Sequence, residues 1–413
     1  MTQIRFLNGL TTIGGNIVEF STDDSRVIMD FGVAADLTDE TVASAIDHGK
    51  LPNVPELFGL AEDPWAHEAI FISHLHIDHM GALQYLKSDI PIYLSAPSYQ
   101  LYKTLIRLGI EKPVHNLHPL PFETPVTVGA FTVEGFASDH DEPGVMALLV
   151  GDGERWYAHS GDVRLNGPHP ERVAHWAQVF HDKKLAMFMI EGTTFSFDTE
   201  TPVEDQAHPS VPLTEQGFQD HLLAVLKQAP ALVAINPYIR NYARLAAIQT
   251  VAHQAGRQMV WEKPDAAVLT EMTDQAPDQV IGETIELATI RQAPAQYVLE
   301  SAFAHLDWLA TLPVSQYVHT NGEPLGDYDP RFQQLKDFLA AHQIPLRFLS
   351  CSGHATRPDL IKLAQMVAPR IIVPWHSFHP EREAKALDAA TRAEVLLPEK
   401  DLYYTLDEPD DEA

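Results

Sequence analysis

Residues 70-IFISHLHIDHMGAL-83 place three histidines and an aspartate within six positions, directly after a short apolar run. His74 and His76 lie two apart at the end of an expected strand, where alternate side chains point to the same side. Asp78 and His79 fall on the turn that opens the next helix. Three imidazoles and a carboxylate drawn from one rigid turn suit a borderline cation such as Zn²⁺. A lone histidine at a strand end is ordinarily a polar surface residue, but HxHxDH between a strand and a helix is a metal-binding pattern.

Four ligands cannot surround two ions, so a dinuclear site needs partners from far along the chain. Candidates stand where strands are expected to end: His140 closes 131-FTVEGFASDH, Asp162 closes 155-RWYAHSGD and His376 closes 370-RIIVPWH. Each has a plainer reading taken singly, Asp162 as a turn cap and His140 as a loop residue beside Asp139 and Asp141. Joined to HLHIDH they make seven ligands, with Asp162 placed to bridge two cations.

The elements that must position these residues change along the chain. Short β-branched and aromatic runs at 3-QIRFLNG, 16-NIVEFST and 26-RVIMDFG, broken by Gly, Asn and Asp, read as an antiparallel meander. Residues 35–66 read as a Pro-rich, partly helical insertion. The run 69-AIFIS-73 is a buried strand, 80-MGALQYLKS-88 a helix and 91-PIYLS-95 the next strand. Helical periodicity over 97-PSYQLYKTLIRLG-109 has Pro at its start and Gly at its end. Strand patterns return from 126 to 190, then 196–215 is polar and aperiodic and reads as a linker. From 216 helices and strands alternate, to a last helix over 357–367 and the strand 370-RIIVPWH-376. An α/β unit inserted into a β-rich first unit gives this order.

Composition bounds the function. The chain has 413 residues with 28 Lys plus Arg against 57 Asp plus Glu, a net charge of −29. Such a field repels polyanions at long range and argues against broad coating of nucleic acid. The tail 407-DEPDDEA-413 reads as a solvated, mobile end. The one cysteine, Cys351, excludes an intrachain disulfide and fits a reducing cytoplasm, and no apolar run approaches a membrane span.

The set HLHIDH, His140, 160-SGD-162 and His376 resembles the metallo-β-lactamase superfamily, whose fold is an αββα sandwich with metals at one edge. Further motifs narrow the resemblance to its β-CASP nucleases. 189-MIEGTTF-195 is similar to their first acidic motif, 350-SCSGHATRPDL-360 to their Ser-Gly-His motif and 370-RIIVPWHSFHPE-381 to the Pro-x-His motif that follows. 238-YIRNYARL-245 and 320-TNGEP-324 resemble stretches of the inserted domain of ribonuclease J.

The resemblance implies an α/β chain: a metallo-β-lactamase αββα sandwich with an inserted α/β β-CASP domain. Its divisions would be 1–195 for the first part of the sandwich, 196–335 for the insert, and 336–413 for the final part with the acidic tail. It implies one metal held by His74, His76 and His140, another by Asp78, His79 and His376, and Asp162 between them. The ions would be two divalent metals, Zn²⁺ first, with Mn²⁺ or Mg²⁺ as alternatives. Glu191 would orient a ligand histidine. Two such ions, about 3.5–4 Å apart, bind a bridging hydroxide that attacks phosphorus in line. Asp78 and His354 carry the catalytic roles, His354 donating a proton to the leaving oxygen. Ser352 and Gly353 offer a turn to phosphate, although Gly353 also reads as a plain tight turn. Arg240, Tyr242 and Arg244 could grip phosphates and stack a base, or form a solvated helix face.

The expected activity is ribonuclease J-like exo- or endonucleolytic cutting of single-stranded RNA in the cytoplasm, with no membrane partner and a homodimer allowed. Three features depart from ribonuclease J. Its further C-terminal domain is not expected here, because 37 residues follow His376 (413 − 376). The Pro-x-His motif continues as Ser-Phe-His-Pro rather than Gly-Glu, and residues 193–335 hold seven Lys and Arg against eighteen Asp and Glu. The acidity favours an alternative, a dinuclear hydrolase of a small phosphodiester, nucleotide or ester. A non-catalytic scaffold is opposed by the full ligand set.

Overall fold

The computed structural model describes residues 1–33, 37, 40–197, 213–326 and 329–406. The acidic tail and most of the expected linker lie outside the described residues. Three sheets form among the described residues. The first runs in the order Tyr403–Tyr404, Gln3–Asn8, Ile17–Ser21, Ser25–Met29, His67–Ile72, Ile92–Ser95, Leu117–Leu120. Its opening is the expected meander, with Gln3 opposite Ser21 and Val18 opposite Met29 in antiparallel register. The second runs Glu394–Val395, Ile371–Trp375, Met187–Glu191, Trp156–His159, Met146–Gly151, Phe131–Ala137, Val126–Val128.

These two sheets pack face to face. Phe6, Phe20, Met29 and Phe71 of the first meet Val133, Leu148, Met187 and Val373 of the second in one buried cluster. Strand alternation leaves each sheet a second apolar face, which must also be covered. The helix Ala96–Arg107 covers the first, and Pro170–Lys183, Arg357–Val367 and Pro380–Ala390 cover the second, where Trp176, Phe180, Leu360 and Leu387 are buried. The result is the αββα sandwich expected of the sequence.

The third sheet is parallel throughout, in the order Gln279–Val280, Gln258–Trp261, Tyr297–Glu300, Leu232–Pro237, Val314–Thr320, Leu346–Phe348. The chain enters it after Met187–Glu191 and returns in Ile371–Trp375, which pairs with that same strand, Glu191 opposite Trp375. The third sheet is therefore an excursion between two neighbours of the second. One of its faces shares a core with the first sheet's helical layer, where Phe218, Leu245 and Trp261 join the same cluster as Leu101 and Leu105. Thr104 Oγ1 also donates to Glu271 Oε2 across this contact, at 2.8 Å.

One local expectation differs. The helix expected over 80–88 is a short helix, Ile77–Met80, followed by a 3₁₀ turn, Gly81–Tyr85. At Gly81 a Cβ would sit 2.8 Å from Val33 Cγ2, so tertiary packing against the 31–33 segment overrides local periodicity. Among the described residues, no helix is long and apolar enough to cross a membrane.

Candidate metal centre

Strand His67–Ile72 delivers the histidine cluster to the end of the sandwich. Leu75 is fully buried, and the flanking His74 and His76 therefore share the other side of the extended segment. The helix Ile77–Met80 starts immediately after, with His76 in its N-cap position and Asp78 in its first turn. The turn is gripped from behind: Asn16 N–H donates to Asp78 O at 2.9 Å and Leu75 N–H to Glu142 Oε2 at 2.6 Å. Gly32 is required there, because a Cβ would fall 1.6 Å from Asp78 O.

The distant candidates arrive at the same place from four strand ends of the second sheet. His140 follows Phe131–Ala137, Asp162 follows Trp156–His159, Glu191 ends Met187–Glu191 and His376 follows Ile371–Trp375. Two groups of ligand atoms result, one of His74, His76, His140 and Asp162, the other of Asp78, His79, Asp162 and His376. In the first, His74 Nε2 and His140 Nε2 stand 3.6 and 3.7 Å from Asp162 Oδ2, and His140 Nε2 is 3.3 Å from His76 Nδ1. In the second, His79 Nε2 is 3.3 Å from Asp162 Oδ1, and His376 Nε2 is 2.9 Å from Asp78 Oδ2.

Four of the five histidines are hydrogen-bonded at their other ring nitrogen, and the fifth, His76, faces a carboxylate there. His74 Nδ1 donates to Ser73 Oγ at 3.0 Å, His79 Nδ1 to Asp30 Oδ2 at 2.7 Å, His140 Nδ1 to Gly353 O at 2.5 Å and His376 Nδ1 to Thr193 Oγ1 at 2.8 Å. His76 Nε2 lies 3.1 Å from Asp141 Oδ1. This outer ring of partners fixes orientation and turns the other ring nitrogens towards the centre, where His79 Nε2 also lies 3.1 Å from Asn16 Nδ2. Asp30, Ser73, Asp141 and Thr193 were not picked out from the sequence as orienting groups. The available signal was a polar residue at a strand end, as in 26-RVIMDFG, which is too common to single them out. Asp30 and His376 adopt left-handed backbone, φ 58° and 54°. Such strain persists where surrounding contacts over-determine it.

The electrostatics fit divalent-cation binding. His74 Nε2 and both oxygens of Asp162 are buried without a hydrogen-bond partner among the described residues, an arrangement costly unless a cation fills the gap. Burial would raise the carboxyls of Asp78 and Asp162, but the surrounding imidazoles hold both below the usual carboxylate range. Burial pushes His140 down to about 4 and His74 well below its ordinary value, so both are neutral, as metal ligation requires. His79 goes the other way. Burial opposes its charge, yet Asp162, Asp78 and Asp30 together outweigh burial and draw positive charge to that spot.

The Ser352-Gly353-His354 turn closes the site. His354 Nδ1 donates to Glu191 Oε1 at 3.0 Å and stands 3.9 Å from Asp162 Oδ2. Burial lowers His354, but Glu191 and Asp162 prevail and push it up to about 10. Glu191 therefore orients His354, where the sequence pointed to a ligand histidine; Thr193 takes that part for His376. The other oxygen of Glu191 accepts from Thr193 N–H at 3.0 Å. Ser352 Oγ is engaged within the turn, with the N–H and carbonyl of His354 both 3.1 Å away. Gly353 seats a ligand ring, since a Cβ there would fall 2.6 Å from His140 Cε1.

Arg240, Tyr242 and Arg244 are placed differently from a phosphate grip. Arg240 is buried against Glu111, and Tyr242 OH donates to Pro143 O at 3.2 Å. Arg244 pairs with Glu215 at 2.6 Å and donates to Cys351 O at 3.3 Å. Arg164 joins the same Glu215 at 3.0 Å, and Asn321 Nδ2 donates to Cys351 O at 3.3 Å. These groups tie the third sheet and its helices to the residue preceding the Ser-Gly-His turn. Buried charge here is spent on docking, not offered to solvent.

Comparison with known proteins agrees with this fold. The model of the beta-lactamase superfamily domain matches residues 41–194. The chain is similar to the ribonuclease J of Thermus thermophilus, 24% identical over 408 residues that cover 91% of this chain and 68% of the relative. It is similar also to the ribonuclease J of Mycoplasma genitalium, 21% identical, covering 98% of this chain and 74% of the relative. A solved protein of unknown function from Enterococcus faecalis V583 superposes with a TM-score of 0.85 at 27% identity, covering 98% of this chain and all of the other.

Proposed function

We propose that this metal-dependent hydrolase, a ribonuclease J-like chain with a metallo-β-lactamase superfamily domain, cuts phosphodiester bonds of single-stranded RNA. The observation that carries the reading is the pair of ligand groups sharing Asp162, with every histidine oriented from behind. His74, His76 and His140 would hold one divalent cation and Asp78, His79 and His376 the other, with Asp162 common to both. Bound there, two cations supply an activated water and neutralise charge growing on phosphorus.

The chain's own groups do the rest. Asp162 and Asp78 keep the centre anionic enough to retain its cations. His354, with Nδ1 given to Glu191, has Nε2 left to protonate the leaving oxygen. The carboxylate of Glu191 stabilises the charged imidazole and aims it, as the acidic partner of a catalytic histidine does. Zn²⁺ suits the histidine-rich set, and Mn²⁺ or Mg²⁺ are the alternatives.

Incubation of metal-loaded protein with 5′-labelled single-stranded RNA tests the reading, with His76→Ala as control. Cleavage lost in the control is expected. Absence of turnover with Zn²⁺, Mn²⁺ and Mg²⁺ alike overturns it. One observation favours a second reading, hydrolysis of a small diester: the net charge of −29, with Arg240 and Arg244 already committed to carboxylates. Rates on oligonucleotides of increasing length separate the two, since a polymer substrate requires activity that rises with length.

A further inference from the structure

The third sheet contributes one side chain that stands against a candidate ligand with its polar group uncommitted. Tyr238 follows directly on Leu232–Pro237, a strand flanked on both sides within its sheet. The C-terminal end of this strand faces the metal centre. The Tyr238 ring meets His76 edge-on, with centroids 5.3 Å apart and planes at 72°. Its neighbours are occupied: Arg240 with Glu111, Tyr242 with the Pro143 carbonyl, Arg244 with Glu215. The Tyr238 side chain is half-buried, and among the described residues no group hydrogen-bonds its hydroxyl.

The position is rigid. Asn241 N–H donates to Tyr238 O at 2.9 Å, and Pro237 bridges to Asn321, which itself grips Cys351 O. The Arg240 guanidinium lies 5.7 Å from the Tyr238 ring centroid, where its charge polarises the ring and strengthens the phenol as a donor. A tyrosine phenol is neutral through the working pH range. A neutral donor suits this spot. It stabilises an anionic oxygen without adding a cation that would compete for Asp141 and Glu142.

We propose that Tyr238 is a substrate-contacting residue whose O–H donates to a non-bridging phosphoryl oxygen on the His74–His76–His140 side of the centre. The inserted sheet thereby completes the active site rather than merely covering it. This rests on the reading of the centre as a phosphodiesterase.

Tyr238→Phe removes one oxygen and keeps the ring packing against His76. Loss of one donor to a charged oxygen predicts about a 10- to 100-fold fall in kcat, with KM changed far less. Metal-loaded wild type and variant are compared on 5′-labelled RNA and on bis(p-nitrophenyl) phosphate, with metal content measured by mass spectrometry. A matching fall on both substrates at unchanged metal content supports the proposal. Wild-type rates in the variant overturn it. Wild type active on the small diester but not on RNA sinks the ribonuclease reading while the Tyr238 comparison stands on the diester. If both proteins are inert on both substrates, calorimetric titration of the metal-loaded proteins with inorganic phosphate decides. Weaker binding by the variant supports the contact, and equal affinity removes it.

Discussion

Asp30→Asn probes the outer ring of partners at one point. Asp30 is fully buried; its Oδ1 accepts from Ser73 N–H at 2.6 Å, and its Oδ2 from Ser73 Oγ at 2.9 Å and His79 Nδ1 at 2.7 Å. Asparagine is nearly isosteric and is among the residues that tolerate the left-handed backbone found here, φ 58°. Its carbonyl can still accept from Ser73 N–H, and its amide nitrogen can donate to Ser73 Oγ. The His79 contact is lost, because Nδ1–H then meets a donor, and with it the approach of His159 Nε2, which stands 3.3 Å from Oδ2 and belongs to neither ligand group. A hydrogen bond to a charged group contributes about 1.5–3 kcal/mol, and losing the partner behind a metal-ligating histidine costs about 10- to 100-fold in affinity. The loss falls on the group of Asp78, His79 and His376. His74, His76 and His140 keep their own partners. Titrating the apo-protein with Zn²⁺ against a chelating dye should therefore show one strong site as in wild type and one weakened about 10- to 100-fold. Two affinities both unchanged, or both reduced equally, would refute the outer-ring reasoning.

Three further outcomes follow from particular contacts. His354→Gln is expected to lower kcat about 10²- to 10⁴-fold. Metal content, measured by mass spectrometry, should stay at the wild-type level, and a loss of metal would instead make His354 a ligand. Glu215→Gln leaves Arg164 and Arg244 buried without their shared carboxylate, which predicts about 3–5 kcal/mol of destabilisation at pH 7 in chemical unfolding. Burial would raise Glu215, but Arg244 and Arg164 depress it below its unfolded value. Its contribution is therefore present above the unfolded carboxylate pKa and lost as pH falls, so the gap to wild type should narrow on acidification. Asp265 runs in the opposite direction. Burial, reinforced by Glu262, pushes it up to about 7 despite its hydrogen bond with Glu300, so wild type loses stability as pH rises from its unfolded value to about 7. Asp265→Asn should be more heat-stable than wild type at pH 8, with the advantage gone near pH 4. An advantage equal at both pH values counts against a buried, proton-linked carboxyl.

By itself the sequence determined what depends on local pattern. Strand and helix periodicity marked the meander, the sandwich strands and the alternating α/β stretch. Ligand-type residues at strand ends marked the seven side chains that the structure brings together in two groups around Asp162. Both signals are local, since a strand's period and the residue at its end are written in adjacent positions. The tertiary structure decided which groups stand behind them. Asp30 reaches His79 across 49 positions and Glu191 reaches His354 across 163. Such pairs leave no signature, because their proximity follows from sheet order and register rather than from spacing. The same holds for Arg240 and Arg244, whose charge suggested phosphate until the fold set Glu111 and Glu215 against them. It holds also for Tyr238, which reaches His76 only because the parallel inserted sheet presents the C-terminal end of a strand to the sandwich.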